Sequence, residues 1–133
     1  MRFPTICAAL LVGASGCAVT PANDGPTEDA IALAAELETR VAGKSERCIS
    51  TFGTRSLVAI DERTLTYRSG RTLYVNRLEE RCPGLEPDDT LITRRFGGRL
   101  CALDTIEPRD WGLDDLPGPR CPLGEFTPYQ EAE

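Results

Sequence analysis

The chain contains no histidine. That absence removes the side chain used most often as general base, proton shuttle and zinc ligand near neutral pH. Ser-His-Asp and Cys-His arrangements are therefore excluded. No C-x2-C pair is present either, since Cys48, Cys82, Cys101 and Cys121 lie 34, 19 and 20 residues apart. A structural zinc site has neither its ligands nor its spacing here. A D-x-D-x-D-G calcium loop is also missing. No apolar run approaches the roughly 20 residues that cross a bilayer. Basic residues are few beside acidic ones, 15 against 21, for a formal net charge of −6. Such a surface repels phosphate backbones, so nucleic acid is not an expected partner.

What is present begins at the N-terminus. Arg2 supplies a positive charge, Ile6 to Val12 an apolar stretch, and Ala14-Ser15-Gly16 small residues ahead of Cys17. This is the layout of a secretory signal peptide over 1–16. The four residues Ala14-Ser15-Gly16-Cys17 also resemble the lipobox of bacterial lipoproteins, with Ala14 where leucine is most frequent. The resemblance implies cleavage before Cys17, a diacylglyceryl thioether on its sulfur and an acylated amine. Several acyl chains, palmitate among them, anchor a protein almost permanently, because each buried methylene contributes about 0.8 kcal/mol. Ala18 stands where an aspartate would direct inner-membrane retention in many Gram-negative species. The implied address is the outer membrane, facing the periplasm. The alternative is an ordinary signal peptide with an incidental cysteine.

With Cys7 in the leader and Cys17 lipidated, four cysteines remain: Cys48, Cys82, Cys101 and Cys121. An even set in an oxidising compartment reads as two disulfides, for which three connectivities are open. The mature chain, 17–133, has 117 residues and a charge of −7, one small domain. The acids concentrate in 102–133, with 8 acidic and 2 basic side chains. Solubility explains that bias, although the same field would also speed encounter with a basic protein.

Residues 17–26, ending "AVTPANDGP", have turn-forming composition and no apolar period, and read as a flexible tether. Thr27 then offers an N-cap, with Glu28 and Asp29 in the first turn. Ile31, Ala34, Leu37 and Val41 follow at helical spacing, and Gly43 stands as a C-terminal cap. The pattern predicts an amphipathic helix over 27–44, either packed on its own domain or spacing it from the membrane.

The vocabulary beyond Cys48 is that of strands, placing a small β domain over 45–133. "SLVAI" (56–60) is an apolar run, while "TLTYR" (64–68) and "TLYVN" (72–76) alternate around Ser69-Gly70. Leu65 and Tyr67 fall on one face, Leu73 and Val75 on another. "TLITRRF" (90–96) and "RLCALDTI" (99–106) predict a second hairpin around Gly97-Gly98. Between the hairpins, "RCPGLEPDD" (81–89) is a loop held by Cys82. Beyond Ile106 the chain reads as irregular and acidic until "CPLGEFTPY" (121–129) offers a last extended segment. The fold class is therefore mainly β, a small antiparallel meander or open barrel stapled by two disulfides and preceded by one α-helix.

"YVNRLEERCPGL" (74–85), "RLCALDTI" (99–106) and "CPLGEF" (121–126), after an early "CIS" (48–50), resemble a family of uncharacterised proteobacterial secreted proteins and lipoproteins. The resemblance covers roughly 46–128 and implies a disulfide-containing β domain in the envelope. It brings no activity, cofactor or catalytic residue. It does imply a pairing, Cys82 with Cys121, which leaves Cys48 with Cys101.

The functional expectation is non-enzymatic. The carboxylate pairs Asp88-Asp89 and Asp114-Asp115 read as solvated turn residues, and no cofactor is expected. Arg94, Arg95 and Arg99 around Gly97-Gly98 are candidate contacts for a carboxylate or phosphate, or a charged guard against edge pairing. Trp111, the single tryptophan, either covers an open end of the barrel or joins a ligand site. The expected role is an envelope binding or structural module with a protein partner and a membrane contact through Cys17. The alternative is a lipid-anchored inhibitor of a basic hydrolase such as lysozyme.

Overall fold

The computed structural model describes residues 25–51, 56–95, 97–109 and 118–133. The expected signal peptide over 1–16, Cys17, most of the expected tether, Trp111 and Asp114-Asp115 lie outside the described residues. The chain runs through helix α1 (Glu28–Glu38) and strands β1 (Arg40–Ala42), β2 (Cys48–Ser50), β3 (Val58–Asp61), β4 (Thr64–Ser69) and β5 (Thr72–Arg77). It continues through β6 (Thr90–Arg94), β7 (Arg99–Cys101), β8 (Thr105–Arg109), β9 (Cys121–Pro122) and β10 (Phe126–Glu131). The result is mainly β with one helix, open antiparallel sheets and two disulfides.

A five-stranded sheet in the order β1-β10-β5-β4-β3 is the frame, and β3-β4-β5 form the meander. Ser69 pairs with Thr72, so the first hairpin turns on Gly70 and Arg71, with Gly70 at φ 58°. Pairing sets Leu65 opposite Asn76 and Tyr67 opposite Tyr74, which places these residues on one face of the sheet. Leu73 and Val75 point to the other face and pack against Leu33 of α1, with Leu37, Ile60 and Tyr129 around them. The opposite face carries the larger core, in which Leu65, Tyr67 and Phe126 meet Ile49, Leu85, Leu100, Ile106 and Leu123.

Two small sheets close that core, the pair β2-β7 and the three-stranded β6-β8-β9. Cys48 sits directly opposite Cys101 in the β2-β7 pair and is bonded to it, with Cα atoms 4.0 Å apart. Cys82 of the 81–89 loop is bonded to Cys121 of β9. This is the connectivity the family resemblance implied.

Three expectations about the helical segment are corrected. The helix stops at Glu38 instead of reaching 44, because Arg40–Ala42 pair with Gln130, Glu131 and Tyr129 of β10 and gain a sheet ladder. Gly43 is accordingly no helix cap, and its N–H donates to Pro128 O at 2.7 Å. The buried stripe also has a different phase: Leu33 is buried while Ile31 and Val41 are 57% and 61% exposed. Thr27 does cap the N-terminus, its hydroxyl oxygen accepting from the Ala30 N–H at 3.1 Å.

The second hairpin does not form. Residues 99–106 are split by a turn in which Leu103 takes φ 73° and the Asp104 carboxylate accepts from the Cys101 N–H at 2.8 Å. β7 goes to β2, while β8 continues past Ile106 to Arg109 and pairs with β6 along five residues. The Gly97-Gly98 segment therefore links two sheets. Pro108 is tolerated within β8 because β9 covers only Thr105 and Ile106, leaving one side of the strand unpaired there.

Candidate functional site

The sheet β6-β8-β9 builds the most distinctive cluster of charge. In its register Ile92 lies opposite Glu107 and Arg94 opposite Thr105, so Arg94 is the diagonal neighbour of Glu107 on the same face. On the other side Cys121 pairs with Ile106, which brings the preceding Arg120 alongside Glu107. Ile106 and Cys121, turned the opposite way, anchor this sheet in the core.

Glu107 is 2% exposed. A carboxylate so far from water survives only with cations beside it. Arg109 Nη2 lies 3.2 Å from Oε1, while Arg120 Nε and Arg94 Nε lie 3.7 and 4.0 Å from Oε2. None of the three is a hydrogen bond: Oε1 accepts none, and the last two contacts are longer than one. Arg94 and Arg120 remain 57% and 65% exposed in their side chains. Chemically the arrangement is a buried anion under a cationic rim, suited to holding an oxyanion and offering no nucleophile.

The other arginines singled out by sequence do not join this cluster. Arg95 donates to Thr51 Oγ1, and Arg99 donates to Cys48 O at 3.0 Å across the β2-β7 pair. Both therefore tie neighbouring segments together. Arg94 alone of the three converges on Glu107. Sequence reasoning passed over Glu107, Arg109 and Arg120, since "EPR" (107–109) read as irregular and Arg120 is adjacent only through strand register. The available signal was a single glutamate between Ile106 and Pro108, with Arg109 two residues further on.

A second feature is the β3–β4 turn. Leu78 and Cys82 donate backbone N–H groups to Arg63 O and Glu62 O, both at 2.8 Å. The Glu62 carboxylate pairs with Arg81 and accepts from the Gly84 N–H at 3.1 Å. Arg81 holds the Glu62 carboxyl below its ordinary range, with the Gly84 N–H adding to the effect. These bonds fix the loop that carries Cys82 and border an open cleft of ≈ 760 Å³ lined by Thr27, Glu62, Arg77 and Glu86. In the same loop the Asp89 carboxylate accepts from the Glu86 N–H at 2.7 Å, a turn-stabilising role.

Among the described residues no helix is long and apolar enough to cross a membrane, and no three potential metal ligands converge. No protein-family model, no curated protein and no solved structure matches the chain.

Proposed function

We propose that the protein is a non-catalytic binding module of the bacterial envelope, held by lipid on Cys17 at the periplasmic face of the outer membrane. The observation that carries this reading is the pair of disulfides, Cys48–Cys101 and Cys82–Cys121. They use every cysteine outside the leader and the lipobox-like Cys17, and such bonds persist in oxidising compartments. A second support is the scaffold: α1 covers one face of the main sheet, and both staples rigidify the other, where Glu107 and its arginines sit. Rigid elements position a binding surface better than loops do.

Crosslinking in intact cells, followed by mass spectrometry of the purified adducts, tests the role. Adducts with periplasmic or outer-membrane components are expected. Adducts confined to cytoplasmic proteins would count against it.

A further inference from the structure

We propose that Arg94 and Arg120, organised by Glu107, form a binding site for a phosphate-bearing anion. This rests on the binding-module reading and names the chemistry of its ligand. Both guanidinium groups approach the same atom, Glu107 Oε2, and both do so through Nε, at 4.0 and 3.7 Å. Nε is the atom nearest the carboxylate in both, and the terminal nitrogens of an arginine are donors that grip an oxyanion in a two-pronged fashion. Each side chain is more than half exposed, at 57% and 65%, so a ligand can reach them.

Charge supports the same conclusion. Three arginines, Arg94, Arg109 and Arg120, stand against the one carboxylate of Glu107, a local excess of positive charge in a chain whose formal net charge is −6. That excess suits a phosphate-bearing anion, whose non-bridging oxygens carry the negative charge. Glu107, 2% exposed and in the middle strand of its sheet, draws both cations to one spot before any ligand arrives. That preorganisation lowers the ordering cost that flexible arginines would otherwise impose on binding. The ligand could be a lipid headgroup or free phosphate, and the chemistry is shared.

The test is titration calorimetry of the purified full chain with glycerophosphoglycerol, the soluble headgroup of an anionic lipid, with inorganic phosphate, and with acetate. Saturable binding of a phosphate probe in preference to acetate is expected, weakening as salt rises. Preference for glycerophosphoglycerol identifies a headgroup site, and preference for inorganic phosphate a free-phosphate site. Arg94→Ala and Arg120→Ala should each weaken binding by roughly tenfold, in line with the loss of a charge-assisted hydrogen bond. Arg94→Lys and Arg120→Lys, which keep the charge and lose the fork, should fall in between and guard against a folding artefact. Arg71→Ala, at an arginine 79% exposed and paired with Glu131, should leave affinity unchanged. Absence of saturable binding, stronger binding of acetate, or an equal loss in Arg71→Ala would overturn the proposal. Lipid labelling of Cys17 is unaffected by any of these results, so the anchorage reading is judged separately.

Discussion

Asn76 and Gly124 bond to each other in both directions. Asn76 Nδ2 donates to Gly124 O at 2.8 Å, and the Gly124 N–H donates to Asn76 Oδ1 at 2.9 Å. A side-chain amide here stands in for a neighbouring strand, joining the end of β5 to the bend between β9 and β10. Asn76 has 0% exposure, so its polar atoms depend on this one partner.

The same bend has no room for a side chain, because a Cβ on Gly124 would stand 2.1 Å from Arg77 O. Gly124→Ala should therefore cost about 3 kcal/mol through forced displacement and weakening of the amide pair. Asn76→Leu, which strands the Gly124 N–H and C=O, should cost about 2 kcal/mol. Urea unfolding of the two variants checks both, with the larger loss expected for Gly124→Ala.

The disulfides differ in surroundings. Each closes a long loop, with separations of 53 and 39 residues, for which chain entropy predicts about 4 kcal/mol apiece. Cys82 and Cys121 are buried in the core, whereas Cys48 and Cys101 are half-buried. Replacing Cys82 and Cys121 together by alanine should lower the denaturation midpoint more than replacing Cys48 and Cys101.

Leu103 adopts φ 73° while 68% exposed, so it loses backbone energy and recovers little by burial. Asparagine tolerates that conformation better. Leu103→Asn should raise thermal stability by about 1 kcal/mol. An unchanged or lower melting temperature would show that the leucine makes contacts worth more than the conformational cost.

Acid should loosen the packing of α1. The Glu36 carboxylate accepts from Arg68 at 2.7 and 2.9 Å and pairs with Arg40 at 3.0 Å. The Arg68 hydrogen bonds hold its carboxyl below the ordinary value despite some desolvation, and Arg81 does the same for Glu62. Both groups have a lower pKa folded than unfolded, so their stabilisation is present above about pH 4.5 and is lost as pH falls below it. Arg68→Ala should flatten that acid limb, measured by urea midpoints between neutral pH and pH 3.

How much of this was legible depended on whether the signal was local. Thr27 as a cap, the alternation of Leu65 and Tyr67 against Leu73 and Val75, and the loop at Cys82 are all set by neighbours within a few residues, and each appears in the fold. The Gly97-Gly98 hairpin failed because the competing event is a turn at Leu103, a residue that rarely takes positive φ. The helix was overextended because β1 forms only when β10, some ninety residues later, is in place. The Glu107 cluster was illegible for the same reason: Arg94 and Arg120 reach it from opposite sides of β8 through register alone.

The proposed function depends most on lipid at Cys17 carrying the domain outside the cytoplasm. Metabolic labelling of cells with a palmitate analogue, comparing the native chain with Cys17→Ala, tests it most directly. The account predicts a labelled, processed native protein in the outer-membrane fraction and an unlabelled, unprocessed variant. Identical processing and fractionation of the two proteins would contradict it.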